Sequence, residues 1–138
     1  MCRAQRTLAE EISFEGVGIH TGKPGHLTIK PAPVDHGIVF LSGGEYIPAT
    51  YEYVVSTKRS TSLGKGQAVV GTVEHLMAAF GGLSIDNALI EIDGPEVPIL
   101  DGSALPFCQA MEKAGIVNQE GSEVEDYYVE EPIFVAEG

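Results

Sequence analysis

Hydrophobic and polar residues alternate through several short stretches of the chain, and in two places the alternation gives way to a helical period. His26-Leu-Thr-Ile-Lys30 alternates cleanly, with Leu27 and Ile29 on one side, and Gly37-Ile-Val-Phe-Leu41 is a second apolar run. Pro31, Pro33 and Asp35 mark the turn between them, so the two read as an antiparallel meander. Thr7 to Phe14 carries enough alternation for one earlier strand, and Tyr46-Ile-Pro48 reads as a short edge segment. Tyr51-Glu-Tyr-Val-Val55 is a further strand candidate, and Leu63-Gly-Lys-Gly66 turns into another, Gln67-Ala-Val-Val70. Asn87-Ala-Leu-Ile-Glu-Ile-Asp93 sets Ala88, Ile90 and Ile92 on one face and Leu89, Glu91 and Asp93 on the other.

The first helical period is Val73, Leu76, Met77 and Phe80, at i, i+3, i+4 and i+7 within Gly71-Thr-Val-Glu-His-Leu-Met-Ala-Ala-Phe80. Thr72 is the predicted N-cap, and Gly81-Gly82 the predicted stop. Glu74, His75, Ala78 and Ala79 are expected to turn away from the apolar stripe. A solvated face usually carries charge, so small residues beside a Glu-His pair imply that another surface packs there. The second period is Phe107, Ala110, Met111 and Ala114, with Ser103 as predicted N-cap and Gly115 as stop. Before it, Gly94-Pro-Glu-Val-Pro-Ile-Leu-Asp-Gly-Ser103 reads as a rigid connector, because two prolines restrict its backbone.

Two striped helices against five or six short strands predict an α+β fold: a two-layer sandwich, mostly antiparallel sheet with two helices packed on one face. At 138 residues the chain can bury one ordinary core. Acidic residues accumulate from Gly121 onward, and Tyr127-Tyr-Val-Glu-Glu-Pro-Ile-Phe-Val135 then starts a new strand-like segment. The expected organisation is a first domain over residues 1–121, with 122–138 forming a linker and the first strand of a truncated second domain.

Composition narrows the function. A net charge of −12 with only eight Lys and Arg excludes a phosphate-binding, nucleic-acid surface. Cys2 and Cys108 have no metal-like spacing and imply no disulfide framework, so a reducing cytoplasm is the expected location. The N-terminus lacks the apolar run of a signal peptide, and no stretch is long and apolar enough for a transmembrane helix.

The chemistry-bearing candidates are few. Glu74 and His75 put an acid and an imidazole side by side, although a single His near a helix start is more often a hydrogen-bonded structural residue than a metal ligand. His26 and His36 look like solvent-exposed strand or turn residues. His20 lies in Gly16-Val-Gly-Ile-His-Thr-Gly22, whose glycines suit a bulged hairpin and equally suit close approach of backbone or ligand.

Three motifs in order carry a resemblance: Ser13-Phe-Glu-Gly-Val-Gly-Ile-His-Thr-Gly22, Thr72-Val-Glu-His-Leu76 with Ala78-Ala79, and Ile85-Asp-Asn87 followed by Pro95-Glu-Val-Pro-Ile-Leu-Asp-Gly-Ser103. In register from about Gln5 to Pro132, the chain resembles the N-terminal half of the UDP-3-O-acyl-N-acetylglucosamine deacetylases, zinc-dependent enzymes of lipid A biosynthesis in Gram-negative bacteria. The resemblance implies two similar α+β domains packed through their helix layers, with the active site between them. It implies His75 as one Zn2+ ligand and Glu74 as the general base. It sets Ile19 and His20 near the metal and the acyl chain, and Thr61, Ser62 and Leu63 on a loop at the mouth of the substrate site. Asp101 belongs to a family motif, and its place beside the predicted N-cap points to a structural job.

The family's other zinc ligands, in an H-x-x-x-D motif, its second catalytic His and its acyl passage belong to a second domain that these residues do not include. The chain is therefore expected to be an N-terminal fragment, inactive alone, whose exposed alanine face tends to self-associate. Two other readings stay open. One is another metal-dependent enzyme of related architecture, such as imidazoleglycerol-phosphate dehydratase, which calls for His-His-x-x-Glu patterns absent here. The other is a non-catalytic module that uses the alanine face only to dock a partner.

Overall fold

In the computed structural model, residues 2–57 and 60–125 are described. They form an α+β fold of mostly antiparallel sheets and two helices. The strands are β1 (Cys2–Leu8), β2 (Ile12–Val17), β3 (Pro24–Pro31), β4 (Ile38–Ser42), β5 (Glu45–Pro48), β6 (Val54–Ser56), β7 (Ser62–Lys65), β8 (Ala68–Val70), β9 (Ala88–Asp93) and β10 (Ile116–Glu125). The helices are α1 (Glu74–Gly82) and α2 (Leu105–Ala114).

The main sheet has the order β2-β3-β9-β4-β5. The expected β3–β4 meander is corrected here, because β9 inserts between them, antiparallel to β3 and parallel to β4. The reason lies in Ile90. It faces Ile29 across one side and Phe40 across the other, and all three are fully buried. A strand whose inward residues are Ala, Ile and Ile gains more apolar contact between two neighbours than at an edge. The alternation expected for β9 is otherwise as found, with Ala88, Ile90 and Ile92 inward and Asp93 exposed.

Two further expectations change. The single strand over Thr7 to Phe14 is two strands, broken at residues 9–11. β1 leaves for a separate ladder with β10, and the Ala9 N–H bonds the Gly115 carbonyl at 2.8 Å. Tyr51–Tyr53 is a 3-10 turn, so the predicted strand there reduces to the three residues of β6. β6, β7 and β8 form a small sheet of their own.

Inward residues of both helices join those of the main sheet in one core, where Leu76, Ala79 and Phe80 of α1 and Phe107 and Met111 of α2 meet Leu27, Ile29, Phe40 and Ile90. Phe107 packs edge-on to Phe14, ring centres 4.8 Å apart. A buried polar cluster fastens β1 and β10 to the start of β9. The Asn87 amide donates to Gln5 and to Gln119, both at 2.8 Å, and its carbonyl oxygen accepts from the Gly37 N–H at 2.7 Å. The expected domain boundary at residue 121 falls inside β10, which pairs with β1 as far as Glu125. The second-domain strand expected from Tyr127 lies outside the described residues.

Candidate active site

The start of α1 is set by a turn at Gly71 and Thr72 and not by a side-chain cap. Gly71 forms a parallel bridge with Glu96, its N–H donating to the Pro95 carbonyl at 2.9 Å and its carbonyl accepting from the Val97 N–H at 3.0 Å. Thr72 has a φ of +56°, a left-handed conformation that costs a β-branched residue about 1–3 kcal/mol. Its hydroxyl donates to the Glu96 carboxylate at 2.6 Å and does not cap the helix, which begins two residues later at Glu74. The predicted N-cap role of Thr72 is thereby corrected.

Glu74 sits in the first turn, where unpaired N–H groups favour a negative charge. Its side chain is exposed, and its Oε1 accepts from the Thr61 N–H at 3.1 Å. His75, half-buried, follows it. At about 100° per residue, Glu74 and Ala78 lie nearly opposite Leu76, whereas Ala79 lies only about 60° from it. Ala79 is accordingly in the core, a correction to its expected outward place, while Ala78, Gly81 and Gly82 are exposed. The small-residue outer face exists, but it is narrower than the sequence implied.

The residue that sequence reasoning missed is Glu96. Only 2% exposed, its carboxylate accepts from the Thr72 hydroxyl, from the Thr21 N–H at 2.6 Å and from the His20 N–H at 3.1 Å. A signal was available: Pro95-Glu-Val-Pro-Ile-Leu100 is apolar except for this one acid, and a carboxylate buried among apolar neighbours demands donors. Burial pushes the Glu96 carboxyl up. The hydrogen bonds from Thr72, Thr21 and His20 outweigh it and hold the group below the ordinary glutamate value of 4.5.

A depressed folded-state value means that the carboxylate's contribution to stability is complete above 4.5 and is lost as pH falls below it toward the folded value. Urea denaturation followed downward through that pH should show a steeper loss in the wild type than in Glu96→Gln. Parallel losses would assign the acid sensitivity to other groups.

Glu96, Thr72, His20, Ser60 and Ser62 line a cavity of about 320 Å³. The structure thus brings His20 and Ser62 to one hollow and Thr61 to Glu74. Ile19, 58% exposed, lies in the β2–β3 turn. Leu63 is placed differently, paired with Val54 and Val70 on β7 and only 3% exposed, so its side chain fills the core. The Ser103 N–H, then the Ser103 hydroxyl, hold the Asp101 carboxyl below its ordinary value. Ser103 in turn accepts from the Leu105 N–H at 3.2 Å, supporting the start of α2 from just outside the N-cap position, which Ala104 occupies.

A catalytic zinc takes about three protein ligands and keeps one position open. Among the described residues no group of three His, Cys, Asp or Glu side chains could hold a metal ion. One imidazole beside one exposed carboxylate does not make such a site by itself.

The family model for UDP-3-O-acyl N-acetylglycosamine deacetylase matches residues 5–138. The UDP-3-O-acyl-N-acetylglucosamine deacetylase of Anaeromyxobacter dehalogenans is 54% identical over 114 residues, 81% of this chain and 37% of that protein. Its namesake in Myxococcus xanthus is 53% identical over 120 residues, 84% of this chain and 38% of that protein. The one from Geobacter sp. (strain M21) is 49% identical over 138 residues, 97% of this chain and 45% of that protein. The chain spans less than half the length of these curated relatives.

Proposed function

The chain belongs to the UDP-3-O-acyl N-acetylglycosamine deacetylase family, and from that membership we propose that the full-length protein hydrolyses the acetamide of UDP-3-O-acyl-N-acetylglucosamine in lipid A biosynthesis. Water adds to the acetyl carbon, the C–N bond breaks, acetate leaves, and a proton passes to the sugar nitrogen. Glu74 is the group that takes the proton from the attacking water and returns it to the amine. His20 and Ser62, with Ile19 beside them and Thr61 holding Glu74, form the substrate side of the site. Leu63 supports that wall from within.

The observation that carries this reading is the setting of Glu74. Its carboxylate is held at a helix start by the Thr61 N–H, exposed and next to an imidazole, when the apolar stripe of the same helix is fully occupied by the core. Zn2+ is part of the proposal, as the ion for which His75 supplies one ligand and residues outside the described set supply the others. When bound, it would polarise the acetyl carbonyl and acidify the water. The proposed compartment is the cytoplasm; among the described residues no helix is long and apolar enough to cross a membrane.

The test is acetate release from UDP-3-O-acyl-N-acetylglucosamine by the zinc-loaded full-length protein and by the 138-residue chain alone. Turnover is expected from the first and none from the second. No turnover by the full-length protein would end the deacetylase reading. Steady turnover by the 138-residue chain would show that these 138 residues suffice, contrary to the proposed division of the zinc ligands.

A further inference from the structure

We propose that Glu96 is a positioning residue of the site, a buried carboxylate that ties together the His20 turn, the turn preceding Glu74 and the connector leading to Asp101. The inference rests on the deacetylase reading for its kinetic consequence, but its structural content stands on the hydrogen bonds alone.

Three separate segments meet at this one side chain. The β2–β3 turn donates two backbone N–H groups, from His20 and Thr21. The segment entering α1 donates the Thr72 hydroxyl. The connector after β9 carries Glu96 itself, with its backbone bridged to Gly71. Every partner is a donor, so the pocket is matched to an acceptor-only group, an ionised carboxylate. A glutamine of the same shape would turn an NH2 group toward N–H and O–H donors and leave some of them unpaired.

Space around Glu96 is equally specific. A methyl group on Gly18 would collide with the Glu96 carboxylate, whereas one on Gly71 would only touch its Cβ at 3.4 Å. This gives Gly18 of the first motif a purpose besides the hairpin: it lets the turn close over the acid. The left-handed Thr72 is held in place because its hydroxyl is bound to Glu96, and Thr72 stands two residues before Glu74. Releasing that hydroxyl frees the backbone to leave its strained conformation. The start of α1 then shifts, and with it the carboxylate that faces the substrate. Displacement of a catalytic group by about 1 Å can lower a rate about 10²-fold.

The experiment compares Glu96→Gln, Thr72→Val and Thr72→Ser in the full-length, zinc-loaded protein. Glu96→Gln and Thr72→Val should each lower kcat by about 10²-fold, with KM little changed and zinc content retained. Their effects should not add in the double variant, and Thr72→Ser, which keeps the hydroxyl, should recover most of the loss. In 15N spectra, the Thr21 and His20 amide protons should move upfield in Glu96→Gln, and the Thr61 amide that bonds Glu74 should move with them. An unchanged kcat in Glu96→Gln, or a Thr72→Ser variant as impaired as Thr72→Val, overturns the inference. If Glu96→Gln does not fold, Thr72→Val carries the same comparison with the carboxylate left in place. A wild type without deacetylase activity would defeat the functional reading alone, whereas amide resonances that stay in place defeat the positioning role whatever the activity.

Discussion

Glu74→Gln is expected to lower the rate of acetate release by the full-length protein by about 10²- to 10⁴-fold, the usual contribution of a general base. The substitution is chosen for what it leaves alone. A glutamine carbonyl oxygen can still accept from the Thr61 N–H now 3.1 Å from the carboxylate, so the first turn of α1 keeps its outside contact. The side chain is exposed, so no buried group is left unpaired. What disappears is basicity. Melting temperature and zinc content should therefore match the wild type, while kcat falls. His75→Ala should behave differently, losing zinc and activity together. A Glu74→Gln enzyme with normal kcat would remove this carboxylate from the chemistry.

Phe107→Ala should destabilise the fold by about 3–5 kcal/mol. Phe107 is fully buried, lies edge-on to Phe14 and shares the core with Met111 of its own helix and Leu76 and Phe80 of the other. Removing the ring leaves a void between the helices and β2 that rigid neighbours fill only in part. Domains of this size are stable by about 5–15 kcal/mol, so the loss is a large share of the total. Leu105→Ala, on the same helix but at a position 55% exposed, should change stability by no more than about 0.5 kcal/mol. Urea unfolding of both variants is the measurement. Equal shifts would mean that α2 contributes through helix propensity and not through the packing of its buried face.

Local pattern carried much of the fold. The alternation of Leu27 and Ile29, that of Ala88, Ile90 and Ile92, the stripe of α2 and the stop at Gly115 are each visible within a few residues, and each is found in the structure. The failures are of another kind. No local feature says that β9 enters between β3 and β4, because the pairing of Ile90 with Ile29 and Phe40 joins residues sixty-one and fifty positions apart. Thr72 satisfies every local rule for a cap, yet a carboxylate twenty-four residues away binds its hydroxyl. Ala79 falls outside a stripe defined on large residues, yet it is as deeply buried as Leu76. Within the site, the Glu74-His75 pair was legible as residue types. The contacts of the groups around it, Thr61 with Glu74 and Glu96 with Thr72, join residues thirteen and twenty-four positions apart and became visible only once the chain was folded.

The ladder joining Cys2 to Glu125 and Leu8 to Ile116 makes β1 wait for a partner synthesised more than a hundred residues later. As the chain leaves the ribosome, β1 emerges with its partner roughly a hundred residues behind, and contacts that distant close slowly. Asn87 is made before β10, so late in that interval Gln5 can already meet the Asn87 amide while it still lacks the strand that later lies beside it. A nascent chain in which β1 is still unmatched exposes an unpaired strand, the feature through which folding intermediates mispair.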